Sequence, residues 1–193
     1  MRTLTARASA LALGALGAFL ALSHSAPAQM QSAQTGALDD PTIVAIFDAA
    51  NTWDMETGGL AATKGSTKAV RDYGAMIRRD HEAVRQQGRD LAAKLGVTPT
   101  PPGPDFALYQ DHVAAMKTLA SATGPAFDRA FLQHEVSYHK AVIDAINGTL
   151  LPALKSADVK ALVVKVAPAF QAHMIAAQNL LDHAGGMNGM SGR

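Results

Sequence analysis

Phe127-Asp-Arg-Ala-Phe-Leu-Gln-His-Glu-Val-Ser-Tyr-His139 has a helical repeat whose apolar stripe is broken by acids and imidazoles. From Leu132, steps of three and four reach Glu135, His139, Val142 and Ile146. An α-helix places such residues on one face. Glu135 and His139 should therefore point where Leu132 and Ile146 point, into a core. Ionisable groups are costly there unless they are paired or bind something.

The rest of the chain repeats the pattern. Asp39-Asp40-Pro41 is a start signal, with Asp40 as the expected cap and Pro41 at the first helical position. The first helix should run to about Thr63, with the stripe Ile43, Phe47, Ala50, Asp54, Thr57 and Ala61; Gly58-Gly59 weakens its last turns. The second is expected from about Thr67 to Leu95, stopping at Gly96, with Val70, Gly74, Ile77, His81, Val84, Gly88, Leu91 and Leu95 as its seam. Val97 to Pro104 is Pro-rich, and a weaker helix follows from Asp105 to Ala120. The third helix runs from Pro125 to about Asn147. The fourth is capped by Ser156, reaches Ala184, and carries Val159, Leu162, Val166, Ala169, His173, Ala177 and Leu180 around an internal Pro168. These are two αα-hairpins joined by a long crossover that contains a short helix. The expected fold is all-α, a ferritin-like four-helix bundle.

Each long helix has an ionisable residue inside its stripe: Asp54, His81, His139 with Glu135, and His173. Counted from the helix starts, each stands roughly 20–24 Å along its axis at about 1.5 Å per residue. Opposed helices of similar length would bring them to one level. Imidazoles and carboxylates meeting inside a bundle suit one transition metal ion: zinc, copper or iron. The plainer expectation is a buried hydrogen-bonded layer that fixes helix packing. Asp128, about 16 Å below His139, lies outside this layer and suits the first-turn dipole of its helix. Asp80 should face away from His81. His112 is expected to be exposed, and His134 to lie at the surface or an interface. Trp53 and Ile46 form a second apolar line on the first helix. His183, Met187 and Met190 form a weak soft-metal candidate in the tail.

Composition bounds the alternatives. The 193 residues are 48% hydrophobic and 17% charged, which suits a globular domain. Arg2 and Arg7, the uncharged run Ala8 to Leu22, and Ala26-Pro-Ala28 are expected to form a signal peptide over residues 1–28, cleaved before Gln29. Residues 29–38 then form a flexible leader, 39–184 the bundle, and 185–193 a disordered Gly/Met-rich tail. Cleavage would leave 15 basic against 16 acidic residues. That balance gives no footprint for nucleic acid. No transmembrane span is expected after cleavage, and the protein is expected to be soluble and periplasmic. Without cysteine there is no disulfide and no thiolate ligand.

Several pieces, in their order and spacing, resemble an exported bacterial family called domain of unknown function 4142, grouped with ferritin-like folds. They are Asp54-Met-Glu-Thr-Gly58 with Leu60-Ala61, Met76 with Asp80-His81, Leu91-Ala-Ala-Lys-Leu-Gly96, Gly124 with Phe127-Asp128, Val136 with His139, and Pro168 with His173. The resemblance spans about residues 38–182. The family pattern usually has Glu where this chain has Asp54, and often Tyr where it has Phe131. It implies the fold and export, and supplies no activity.

No phosphate loop, His-Glu-x-x-His or Gly-x-Ser-x-Gly motif is present. Di-iron members of the ferritin-like group use Glu-x-x-His on two helices. Here Arg78, Val136 and Phe170 stand three residues before His81, His139 and His173. That argues against iron storage and against a metal-dependent oxidoreductase of that type. The expectation is an exported, non-enzymatic bundle that binds a transition metal or small ligand. The alternative is a structural protein with a homo-oligomeric or envelope protein partner.

Overall fold

Asp39 opens the first helix, α1 (Asp40–Lys64), by accepting from the Thr42 amide at 2.9 Å. The structure, a computed structural model, describes residues 38–99 and 106–190, with 185–190 by their backbone alone. The expected signal peptide, nearly all of the leader, part of the Pro-rich connection and residues 191–193 lie outside the described residues. After α1 come α2 (Lys68–Leu95), α3 (Ala107–Ser121) and α4 (Gly124–Ala145). A π-helical turn (Ile146–Leu150), a single helical turn α5 (Leu151–Ala153) and α6 (Ala157–Met190) complete the order. No strand occurs among the described residues.

The chain is an all-α bundle of four long helices. α1 packs on α2 across a short link, and α4 packs on α6 across the π-helical turn and α5. The crossover between the hairpins carries α3, which lies against α1 and α4. Thr67 caps α2, and Gly96 ends it in the left-handed conformation that lacks a penalty only for glycine.

Two apolar clusters fill the interior. One gathers Ile43 and Val44, Val84, Ile146, and Val163 with Phe170. The other gathers Ala61, Ile77, Phe131 with Leu132, and Ala177. On every long helix the ionisable residue lies between its contributions to the two clusters. The polar layer thus lies between two apolar clusters, one above it and one below.

Gly58 and Gly74 explain how tightly the first hairpin closes. A Cβ on Gly58 would stand 2.8 Å from the Gly74 carbonyl oxygen, and one on Gly74 would stand 2.7 Å from both Ala61 Cβ and the Gly58 oxygen. The glycines that weaken this helix end in isolation let two backbones touch, and α1 continues to Lys64.

Three expectations are corrected. Asp40 does not cap α1; its carboxylate accepts from the Lys155 and Ser156 amides at 2.9 and 2.7 Å, tying the start of α1 to the start of α6. Ala169 is exposed, and Phe170 is buried in its place. Both fit the spacing between Val166 and His173, and the larger apolar side chain takes the core. Leu95, placed in the seam, is exposed. The backbone of α6 runs on past Gly185-Gly186 to Met190. By length and composition Ala157–Ala184 could cross a membrane. In the fold its Val159, Val166, His173 and Ala177 are buried in the bundle, while Val164 and Ile175 face outward.

Candidate metal centre

Asp54 on α1, His81 on α2, Glu135 and His139 on α4, and His173 on α6 are brought to one level. Asp54 and Glu135 are fully buried, His139 is 1% exposed, His81 3% and His173 5%. His81 Nε2 lies 2.7 Å from Asp54 Oδ2 and 3.3 Å from His173 Nδ1. His139 Nε2 lies 3.4 Å from the same Asp54 oxygen.

The outer nitrogens assign the inner ones. His139 Nδ1 faces the Glu135 carbonyl at 3.0 Å, which can only accept, so Nδ1 carries the proton. Asn51 Nδ2 donates to the Phe47 carbonyl at 2.7 Å, which turns Asn51 Oδ1 toward His81 Nδ1 at 2.9 Å and gives that nitrogen the proton. His173 Nε2 donates to Asp80 Oδ2 at 3.3 Å. In neutral rings this leaves lone pairs on His81 Nε2 and His139 Nε2, beside the Asp54 carboxylate, and on His173 Nδ1, beside His81. Asp54 Oδ2 and His139 Nε2 have no hydrogen-bond partner, and neither does Glu135 Oε2. The 2.7 Å approach of His81 to Asp54 has ion-pair distance without hydrogen-bond alignment.

Electrostatics follow from burial. For His139, burial lowers the pKa despite the Asp54 charge. For His173, burial, then His139 and His81, lower it to about 4. Burial pushes Asp54 upward, but the positive charge that His81 and His139 carry when protonated outweighs it and holds the carboxyl below the usual carboxylate range. Glu135 is held well above that range by burial and by the Asp54 charge. Its Oε1 accepts from Thr57 Oγ1 at 3.2 Å.

Metal-ligating histidines usually donate their second ring nitrogen to a carboxylate or carbonyl, which orients the ring. All three rings here have such a partner on an oxygen. Tetrahedral ligands at ~2.0–2.1 Å from an ion stand ~3.3 Å from one another. The separations of 3.3 and 3.4 Å match that spacing, and 2.7 Å is shorter. Two sets of potential ligand atoms come within 4.8 Å of one another: His81, His139 and His173, and Asp54, Glu135 and His139. The first set offers three nitrogens and the second one nitrogen with two carboxylates, donors that transition metals take; neither set contains both Asp54 and His173.

Partners of this layer that sequence reading missed are Asn51, Asp80, Tyr73 and Phe170. Asn51 is three residues before Asp54 on the same helix face, a spacing that was readable. Asp80 was expected to face away, yet its half-buried side chain reaches His173 across the helix gap. Tyr73 donates to the His173 carbonyl at 3.0 Å, and Phe170 stacks on His81 at 5.3 Å between centroids.

Other candidates sort differently. Asp128 is structural, as expected, but for another reason: it accepts from Ser66 N and Oγ at 2.7 and 2.6 Å and from Thr67 N at 3.2 Å, holding the α1–α2 turn. His112 is buried rather than exposed, because α3 folds over α1; its Nε2 meets Glu56 at 2.9 Å and its ring stacks on Trp53. His134 is half-buried beside Tyr138. His183 is exposed on α6, and the side chains of Met187 and Met190 lie outside the described ones.

A family model described as a domain of unknown function, DUF4142, matches residues 24–180. The chain belongs to this family. The solved structure of CopM in the Cu(II)-bound form is similar at 14% identity, with a TM-score of 0.57, covering 75% of this DUF4142 chain and 98% of that one. At that identity the likeness speaks for the fold alone. No curated protein matches the sequence.

Proposed function

We propose that this DUF4142 protein is an exported helical bundle that binds one transition metal ion in its core. His81, His139, His173 and Asp54 would be the ligands, with Glu135 adjoining them. One observation carries the reading. The inner nitrogens of His81 and His139 stand 2.7 and 3.4 Å from an Asp54 Oδ2 that has no hydrogen-bond partner, His173 Nδ1 stands 3.3 Å from His81 Nε2, and every outer ring N–H is tied off on an oxygen. Three nitrogens, one oxygen and no sulfur suit Cu(II) or Zn(II). Divalent copper binds such donors most tightly among first-row ions. The fold relative was solved with Cu(II), which adds support for copper. The absent Glu-x-x-His pairs speak against a di-iron site. The ion would supply a fixed positive charge that all four helices share, and no reaction step is implied.

Removing the ion tests this. Protein purified and stripped with chelator should regain one equivalent of Cu(II) or Zn(II) with a higher Tm. The His139→Ala variant should regain none in the core. A stripped protein whose melting ignores copper, zinc and iron refutes the reading.

A second reading has a specific observation behind it. Asp54 sits 2.7 Å from His81 and titrates low, as in a buried imidazolium–carboxylate pair. In that case the layer fixes helix packing in an envelope protein. Such a pair leaves His139 Nε2 without a partner, which favours the metal.

A further inference from the structure

A cavity of about 360 Å³ lies between α1, α3, α4 and α6 and ends on the imidazole layer, with Asn51, His81 and His139 in its lining. Its volume falls within the range of small-molecule sites, roughly 300–1,000 Å³. Ala107, Asp111 and Ala141 also line it and are exposed, so it reaches the surface. Four aromatic rings border it: Phe47, Phe106, Tyr138 and Phe170. Ile146, Thr149 and Leu150, from the π-helical turn, form another part of the wall. Such turns are rare and recur at functional sites, because the extra residue opens the helix.

We infer that this cavity is a binding site for a neutral aromatic molecule bearing at most one hydroxyl. The ring faces supply the apolar contact. Among the described residues no lysine or arginine lines the cavity to give an anionic head a counter-charge, and the exposed Asp111 would repel it. Asn51, Tyr138 and Thr149 are the uncharged polar side chains available for a hydroxyl. Tyr138 spends its proton on the Ala50 carbonyl at 2.7 Å, leaving its oxygen to accept. The cavity is walled by protein side chains alone, so the inference does not rest on the metal reading.

Calorimetric titration of chelator-stripped protein with naphthol tests it, with naphthoate as the anion of the same ring. One naphthol should bind per chain, and naphthoate should bind at least about tenfold more weakly. Ala145 lines the cavity. The Ala145→Phe variant should fill the space and weaken naphthol binding by about tenfold or more, with an unchanged helical spectrum and Tm. If that variant does not fold, Val142→Phe provides the same test from the next turn. Absence of naphthol binding, equal binding of naphthoate, or undiminished binding by a folded filled variant overturns the inference.

Discussion

Asn51 holds His81 in one tautomer. Its amide is fixed by the Phe47 carbonyl, and its oxygen accepts from His81 Nδ1. Replacing Asn51 with Ala should therefore leave the proposed ligands in place and weaken metal binding by about 10–100-fold. Competition against a chelator of known affinity measures this, and an unchanged affinity would show that His81 needs no such partner. Acid should also act on these rings. Burial lowers the pKa of His134 and His139, and that of His173 falls from 6.5 to about 4. Between those values the unfolded chain holds more protons than the folded one, so stability rises with pH. Metal-free protein should be fully stabilised by these groups above pH 6.5 and should lose that contribution as the pH falls toward 4. Glu135, shifted upward, acts in the opposite direction above 4.5, as one group against three. Urea titrations at stepped pH check the sign, and a stripped protein equally stable at pH 4.5 and pH 7 would contradict it.

At the scale of elements, the α1–α2 hairpin depends on the absence of two side chains and the presence of one carboxylate. The Gly74→Ala methyl would overlap the backbone and Cβ of α1. Overpacking of this kind costs about 1–3 kcal/mol, and urea unfolding should show a midpoint lowered accordingly with no change in helix content. Asp128→Ala should also destabilise, by about 1–3 kcal/mol, since it strands donors at Ser66 and Thr67. The same unfolding experiment reads it; a neutral result would mean that water replaces the carboxylate. Helix boundaries were legible because caps and stops are local: Gly96 and Ser156 act where their sequence places them, and α2 begins within a residue of the expected Thr67. The role of Gly58 was not legible, because its partner, Gly74, lies on another helix. Asp40 was misread for the same reason, since its partners lie at the start of α6.

For the whole molecule, the convergence of Asp54, His81, His139 and His173 was legible from their equal heights on four helices. Periodicity gives the face and residue counts give the level. The partners that orient the rings were less visible. Asp80 lies off the stripe and reaches His173 only through the approach of α2 to α6. His112 was expected to be exposed, because nothing local in the sequence shows that α3 folds over α1 and stacks this ring on Trp53. A bound ion would tie all four long helices together, so it should raise global stability. At a free metal concentration 100 times its Kd the gain is about 2.7 kcal/mol, and a Tm that rises with copper in wild type but not in His81→Ala is the expected outcome. The most direct measurement is the electron paramagnetic resonance spectrum of the protein with one equivalent of Cu(II). The account predicts nitrogen couplings from three imidazoles, with one lost in each of the variants His81→Ala, His139→Ala and His173→Ala. A spectrum that is unchanged in those variants, or that changes only when His183 is replaced, would contradict a metal in the bundle core.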